Sequence, residues 1–295
     1  MKVVVLGPGL MGAQIAGEYA LGGHEVIVLA RRPEVARERI EQGLATARGH
    51  GLATAEETAA ARERMTITQD PAAAAGARII VESVVEDLAQ KAAALAPVIA
   101  VAPEAIIATN TSSIPITAIG AAAGAPERMV GAHYWNPPLL MPLVEVIRGE
   151  ETAECVVQEM VSTLRALGKR PVLVERDVPG FVWNRLQLAL LREAVWIVER
   201  GVASPETVDE IVRDGLARRW RYTGPFQTAA LGGAATFERV ADNLWPVLSR
   251  SRRLQGLRDW LDEAEETLAP LRERRDAGLA ADLRADRARQ DGAGT

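Results

Sequence analysis

Apolar residues along this chain gather in short unbroken runs, separated by longer stretches in which they recur at helical spacing. The runs are Lys2 to Leu6, His24 to Leu29, Met65 to Thr68, Arg78 to Val81, Ala105 to Thr109, Met129 to His133, Leu143 to Ile147 and Pro171 to Val174. A strand that is apolar at successive positions, rather than at every second one, is covered on both faces. Strands alternating with helices therefore predict an α/β fold with a largely parallel, doubly wound sheet. Between the second and third runs, Pro33 to Arg64 carries a helical pattern broken at Gly49-His50-Gly51, which predicts two antiparallel helices inserted there. His50, in that break, reads as a loop residue and not as a ligand. After Asp177 the β-like runs stop. Phe181 to Glu199 has helical spacing and ends near Gly201, and Ser204-Pro205-Glu206 opens the next helix with a capping serine and a proline at the first helical position. Further helices are expected over 234–290, the charged stretch from Pro270 being read as a solvated arm. The predicted organisation is an α/β domain at 1–178, with a helical insert at about 33–64, followed by an all-helical domain at 179–295.

The turn after the first strand is Gly7-Pro8-Gly9-Leu10-Met11-Gly12, and a helix to about Leu21 follows at once. This pattern has a physical reading in that setting. The first glycine allows the tight turn, the second lets backbone approach a pyrophosphate, and the third lets helix pack on strand. The helix N-terminus then faces the phosphates. The α/β domain is thus expected to be a Rossmann-type sheet, with Gly7, Gly9, Leu10, Met11 and Gly12 as dinucleotide-binding residues. A carboxylate at the end of the second strand would bind the adenosine ribose of NAD. Here that position is Ala30, followed by Arg31 and Arg32. A carboxylate would repel a ribose 2′-phosphate, whereas guanidinium groups bind one through charge-assisted hydrogen bonds. NADP(H) is therefore expected over NAD(H), which is the alternative; the competing reading of both arginines is a solvated start to the next helix.

Ligands of a doubly wound sheet lie beyond the C-terminal ends of its strands. Three such ends carry polar residues: Glu82 to Glu86, Asn110-Thr111-Ser112-Ser113, and His133. His133 closes its apolar run, and Pro137 and Pro138 then force an extended path before the strand that carries Glu145. If these strands are neighbours, Glu145 accepts a hydrogen bond from one imidazole nitrogen and leaves the other available as a general base. Taken alone, the same pattern fits a core histidine satisfied by a carboxylate.

Composition narrows the classes without choosing among them. The 295 residues are 48% apolar and 25% charged, with a net charge of -5, which gives no reason to expect nucleic acid as a partner. Met1 to Leu6 reads as a strand and not as a signal peptide, no membrane segment is expected, and the cytoplasm is the default location. The single cysteine, Cys155, excludes an internal disulfide framework. Scattered histidines without Cys/His ligand spacing give no reason to expect a metal site.

Four segments together resemble one family. Asn110-Thr111-Ser112-Ser113-Ile114, His133 to Asn136, Leu143-Val144-Glu145-Val146 and Val178-Pro179-Gly180-Phe181-Val182-Trp183-Asn184-Arg185 look like the successive signatures of the 3-hydroxyacyl-CoA dehydrogenase superfamily, in its order. The resemblance runs from residue 1 to about residue 230. It implies His133 as acid/base oriented by Glu145, Ser112 and Asn184 near the reacting oxygen, and Glu86 and Lys91 near the nicotinamide side of the cofactor; Asn110 is also expected to bind the cofactor. Hydride leaves a carbinol carbon while a base near neutral pKa takes the hydroxyl proton, and hydroxyl and amide donors steady the oxygen. The segment Gly215 to Phe226, together with Asn136-Pro137-Pro138, is closer to the lambda-crystallin (L-gulonate 3-dehydrogenase) and carnitine dehydrogenase branches. That closeness implies Arg219 as a cation for the carboxylate of a short free L-3-hydroxy acid, with Asn136 also on the substrate side. The competing reading of Arg218, Arg219 and Arg221 is a solvated cluster. A homodimer through the helical domain is implied as well. The rival functions are a short-chain L-3-hydroxyacyl-CoA dehydrogenase and a non-catalytic structural or cofactor-sensing protein. The β-hydroxyacid dehydrogenases use a lysine from the helical domain, and none follows Lys169.

Overall fold

The computed structural model describes residues 1–252 and 268–292. Expected helix content over 253–267 lies outside the described residues. Eight strands form one sheet in the order β3-β2-β1-β4-β5-β6-β7-β8. They are β1 Lys2–Leu6, β2 Glu25–Leu29, β3 Met65–Thr68, β4 Ile79–Glu82, β5 Ile106–Thr109, β6 Met129–Tyr134, β7 Leu143–Arg148 and β8 Arg170–Val174. All pairings are parallel except β6 with β7. This is a doubly wound Rossmann-type sheet with an antiparallel step near one edge.

The helices on it are α1 Leu10–Leu21, α2 Pro33–Gly49, α3 Ala55–Glu63, α4 Leu88–Val101, α5 Ile116–Ala123 and α6 Glu154–Ala166. The unbroken apolar runs have a direct explanation in β1. Val3 and Val5 face one layer, with Ile15 and Tyr19 of α1, Leu44 of α2 and Met160 of α6. Val4 and Leu6 face the other, with Leu95 and Val98 of α4 and Ile119 of α5. Burying each such side chain contributes roughly 1.5–3 kcal/mol, so both faces select for Val, Ile and Leu. The chain leaves β1 toward β2 and β3, then crosses back to β4 on the other side of β1. At that switch point the C-terminal ends of β1 and β4 open a crevice, where ligands of such sheets bind.

Two compact units result: Met1–Val182 with the segment from Pro270, and Trp183–Ala269. In the second unit, α7 Trp183–Glu199 is followed by α8 Pro205–Glu210, whose Ser204 cap accepts from Thr207 N–H at 3.3 Å. The helix continues through a π-helical turn, Ile211–Leu216, into α9 Ala217–Trp220; α10 Pro225–Gly232 and α11 Ala234–Leu244 come next. The stretch from Pro270 is helical, as expected, within helix Leu268–Gly292, and it groups with the first unit rather than with the other helices of the second. Ala280 and Leu283 are buried there, Arg284 donates to the His50 carbonyl, and Arg287 Nη1 donates to the Leu52 carbonyl at 3.3 Å. Guanidinium groups reaching backbone carbonyls of the α2–α3 turn hold it in place, so a charged sequence is compatible with docking.

Candidate active site

The loop from β1 to α1 fits a dinucleotide backbone. Gly7 has φ +79°, and a Cβ there would lie 2.6 Å from the Ser83 carbonyl oxygen. A Cβ on Gly12 would lie 2.3 Å from the Gly7 oxygen, so loop and helix touch backbone to backbone. Gly9 differs: a Cβ there would meet only the Gly7 oxygen, at 4.0 Å, so space beside it is open to a ligand. No side chain caps α1, whose N-terminus begins at that space. The N–H groups and positive dipole end there suit a pyrophosphate.

A cleft of about 750 Å³ extends from this loop past the ends of β2 and β4. Ala30, Arg31 and Arg32 line it at the β2 end, as expected from the sequence, and Arg39 of α2 joins them. Ala30 is buried while the three arginines are exposed.

On the other side of the switch point, a carboxylate pair shares one lysine. Lys91 is buried and donates to both oxygens of buried Glu82, at 2.9 and 3.0 Å, and to the Val84 carbonyl at 3.3 Å. Its Nζ also lies 3.3 Å from Glu86 Oε2. Thr109 Oγ1 and Val84 N–H complete Glu82 at 2.6 and 2.7 Å. The ammonium of Lys91 is thus engaged by protein acceptors, Glu86 among them. Glu86 Oε1 accepts from Thr111 Oγ1 at 2.7 Å, Ser112 N–H at 2.9 Å, and Ser113 N–H and Oγ at 2.8 Å. Partial burial pushes this carboxyl upward, but the Thr111 and Ser113 hydroxyls, the Lys91 charge and the Ser113 N–H outweigh it and hold it down at about 2. The loop that presents Ser112 is built around this anion.

His133 and Glu145 are direct partners in the β6–β7 register. His133 Nδ1 lies 2.7 Å from Glu145 Oε2, and both residues are buried. With the ring neutral and its Nδ1–H donated to the carboxylate, Nε2 is the nitrogen that keeps a lone pair. Glu145 Oε1 accepts from Val182 N–H at 3.2 Å. The Phe181 ring packs 5.6 Å from the imidazole, centroid to centroid, and Phe181 takes φ +47°, which is uncommon outside glycine. Asn110 Oδ1 accepts from Tyr134 N–H at 2.9 Å, and its Nδ2 donates to Ser83 Oγ at 3.4 Å. Asn110 therefore ties the ends of β4, β5 and β6 together. Asn136 is exposed on the knuckle beyond β6. The following loop is fixed by Lys169, whose Nζ donates to the Pro138 and Met141 carbonyls at 2.6 and 2.9 Å and pairs with Glu18 at 2.6 Å.

Asn184 stands in the first turn of α7 and Arg219 in α9, both in the second unit, with Arg219 exposed. Sequence reasoning did not single out the Glu82–Lys91 pair, the Lys169–Glu18 pair, Arg39, Phe181 as ring partner or the Val182 N–H. The one available signal was rarity, since Lys91 and Lys169 are two of only three lysines in the chain.

A crevice with a phosphate-cradling loop at one strand end and a carboxylate-oriented imidazole at another defines the class: a nicotinamide-dependent oxidoreductase. Profiles for the 3-hydroxyacyl-CoA dehydrogenase NAD binding domain and C-terminal domain match residues 2–178 and 180–265. The chain belongs to the 3-hydroxyacyl-CoA dehydrogenase family. It is 34% identical over 297 residues to an L-carnitine dehydrogenase of Streptomyces griseus, covering 98% of this chain and 87% of that protein. It is 36% identical over 252 residues to a 3-hydroxybutyryl-CoA dehydrogenase of Mycobacterium tuberculosis, covering 83% and 86%. The crystal structure of 5-formyl-3-hydroxy-2-methylpyridine 4-carboxylic acid 5-dehydrogenase, an NAD+-dependent dismutase, superposes with a TM-score of 0.84 at 32% identity, over 96% of this chain and 97% of that one. Among the described residues, no helix is long and apolar enough to cross a membrane.

Proposed function

We propose that this chain oxidises the 3-hydroxyl of a short free L-3-hydroxy acid, or reduces the 3-oxo acid, with NADP(H) preferred. The observation that carries the chemistry is the 2.7 Å contact between His133 Nδ1 and Glu145 Oε2. His133 Nε2 takes the hydroxyl proton, and Glu145 holds the ring in the needed tautomer and stabilises the imidazolium that forms. The nicotinamide, when bound, accepts hydride from the carbinol carbon. Ser112 and Asn184 donate hydrogen bonds to the reacting oxygen. Glu86, with Lys91 behind it, holds the Ser112 loop. Arg219 binds the substrate carboxylate, Asn136 lies on the substrate side, and Arg31 and Arg32 bind the ribose phosphate.

Similarity to dehydrogenases named for L-carnitine and for a pyridine carboxylic acid favours small free substrates. Similarity to a 3-hydroxybutyryl-CoA dehydrogenase favours a second reading, the CoA thioester. Turnover of a panel of 3-hydroxy acids and their CoA esters with NADP+ and NAD+ decides between them. Free acids with NADP+ are expected to give the highest kcat/KM; CoA esters alone, or NAD+ preferred, would overturn the respective part. Arg219→Ala separates the two substrates, since it costs turnover of a free acid far more than that of a thioester. The second unit is proposed to pair with its copy, a reading supported by its many exposed large apolar side chains.

A further inference from the structure

The arginines around the cleft are not confined to the end of β2. Arg39 follows Val35 by one turn of α2, and both line the cleft with Arg31 and Arg32. Its Nη1 donates to the Pro8 carbonyl at 3.4 Å, so the guanidinium reaches from α2 to the glycine-rich loop. The residues lining the cleft include three arginines and no aspartate or glutamate. The nearby acids of α2 are engaged elsewhere: Glu34 pairs with Arg37 at 3.0 Å, and Glu38 accepts from Gln42 at 3.4 Å. Three like charges on one rim repel each other, and a bound dianion reverses the sign of that interaction.

We propose that Arg39 is the third arm of a site for the ribose 2′-phosphate of an adenine dinucleotide, closing from the α2 side while Arg31 and Arg32 approach from the strand end. This rests on the coenzyme reading above and adds a residue outside the strand-end motif. The Pro8 carbonyl holds one nitrogen of a planar fork, which pre-orders the arm and leaves further donors for phosphate oxygens.

The test is calorimetric titration of the full chain with adenosine 2′-monophosphate and adenosine 5′-monophosphate. These probes present the same base with the phosphate on different carbons. Wild type is expected to bind the 2′-phosphate more tightly. Arg39→Ala should weaken that binding about 10- to 100-fold, the loss of one charge-assisted contact, and weaken 5′-phosphate binding much less. Arg39→Lys should recover part of the loss, because it keeps the charge without the fork. The ratio of kcat/KM for NADP(H) over NAD(H) should fall in parallel. Equal weakening of both nucleotides by Arg39→Ala would make Arg39 a general support of the loop and overturn the inference. So would unaltered 2′-phosphate affinity in Arg39→Ala alongside its loss in the Arg31→Ala/Arg32→Ala variant, an outcome that leaves the coenzyme reading standing. Absence of any 2′ preference in wild type would remove the coenzyme reading and this site with it.

Discussion

His133 and Glu145 meet because an antiparallel register places them opposite each other, and the second carboxylate oxygen is met by the Val182 N–H. Two donors on two oxygens leave the carboxylate little freedom to rotate. Glu145→Gln keeps the shape but has one acceptor oxygen for two donors, Nδ1–H and the Val182 N–H, and carries no charge. The ring then adopts the other tautomer, with its proton on Nε2, or keeps the lone pair there without a carboxylate to orient it and stabilise the imidazolium, and either outcome weakens the base. We expect kcat to fall by about 10²- to 10⁴-fold, the range for general acid/base groups, with the melting temperature close to wild type. Steady-state kinetics beside thermal unfolding check this, and near-normal kcat in a folded variant would refute the assignment. Glu86 makes a pH prediction. Its folded value of about 2 lies below the ordinary 4.5, so the folded state holds the ionised form more strongly than the unfolded chain does. Its contribution to stability is complete above about pH 4.5 and fades as pH falls toward 2. Melting curves of wild type and Glu86→Gln should differ most above that range and converge below it. A constant gap across pH would contradict the account.

At the scale of elements, the glycine-rich turn separates two kinds of glycine. Gly12→Ala drives a methyl into the Gly7 carbonyl and must displace α1 from β1, so the protein should lose stability as well as nucleotide affinity. Gly9→Ala meets nothing in the protein and has φ -75°, open to alanine, so unfolding should stay near wild type while dinucleotide binding weakens. Thermal unfolding and fluorescence titration of the two variants would show this split; matching losses of stability would count against it. The linker after β8 anchors in a similarly local way: Asp177 Oδ2 accepts from Thr117 N–H at 2.7 Å and caps α5 from sixty positions along the chain. Elements of this kind were readable from the sequence where one residue type repeats a local rule. Runs apolar at every position place the strands, the Gly49-His50-Gly51 break separates α2 from α3, and Ser204-Pro205 opens α8. Pairings between distant elements were not. Lys91 looks like any helical lysine until β4 brings Glu82 to it, and Lys169, in the turn before β8, shows no partner until α1 brings Glu18. His133 with Glu145 is the exception, because the two stand in successive apolar runs joined by a short proline-rich connection and in segments that resemble the family's signatures. Helix content was expected through residue 290, but the packing of helix Leu268–Gly292 with the first unit was not, because it rests on few apolar residues, Ala280 and Leu283 among them, within a highly charged stretch.

For the whole molecule, the contrast between the two units carries the argument. The first unit buries valine, isoleucine and leucine on both faces of its sheet, whereas no residue of α7, α8 or α11 is fully buried. On α11, Phe237, Val240 and Leu244 recur at one-turn spacing on one face, and they are 40%, 47% and 50% exposed. Trp245 follows at 72% and Val247 at 64%. Scattered apolar residues are ordinary on a surface, but a face repeated turn after turn is what the pairing proposed above would cover. A second copy is the partner that requires no further component. If these side chains form the seam, a charge placed there must be desolvated in the pair and not in the single chain. Leu244→Asp is then expected to shift the sedimentation coefficient from dimer to monomer at micromolar concentration. Its circular dichroism should keep the helical content of wild type, because the substituted position already faces solvent within one chain. A variant that remains dimeric, or a wild-type chain that sediments as a monomer, would leave this face without the occupant argued for it.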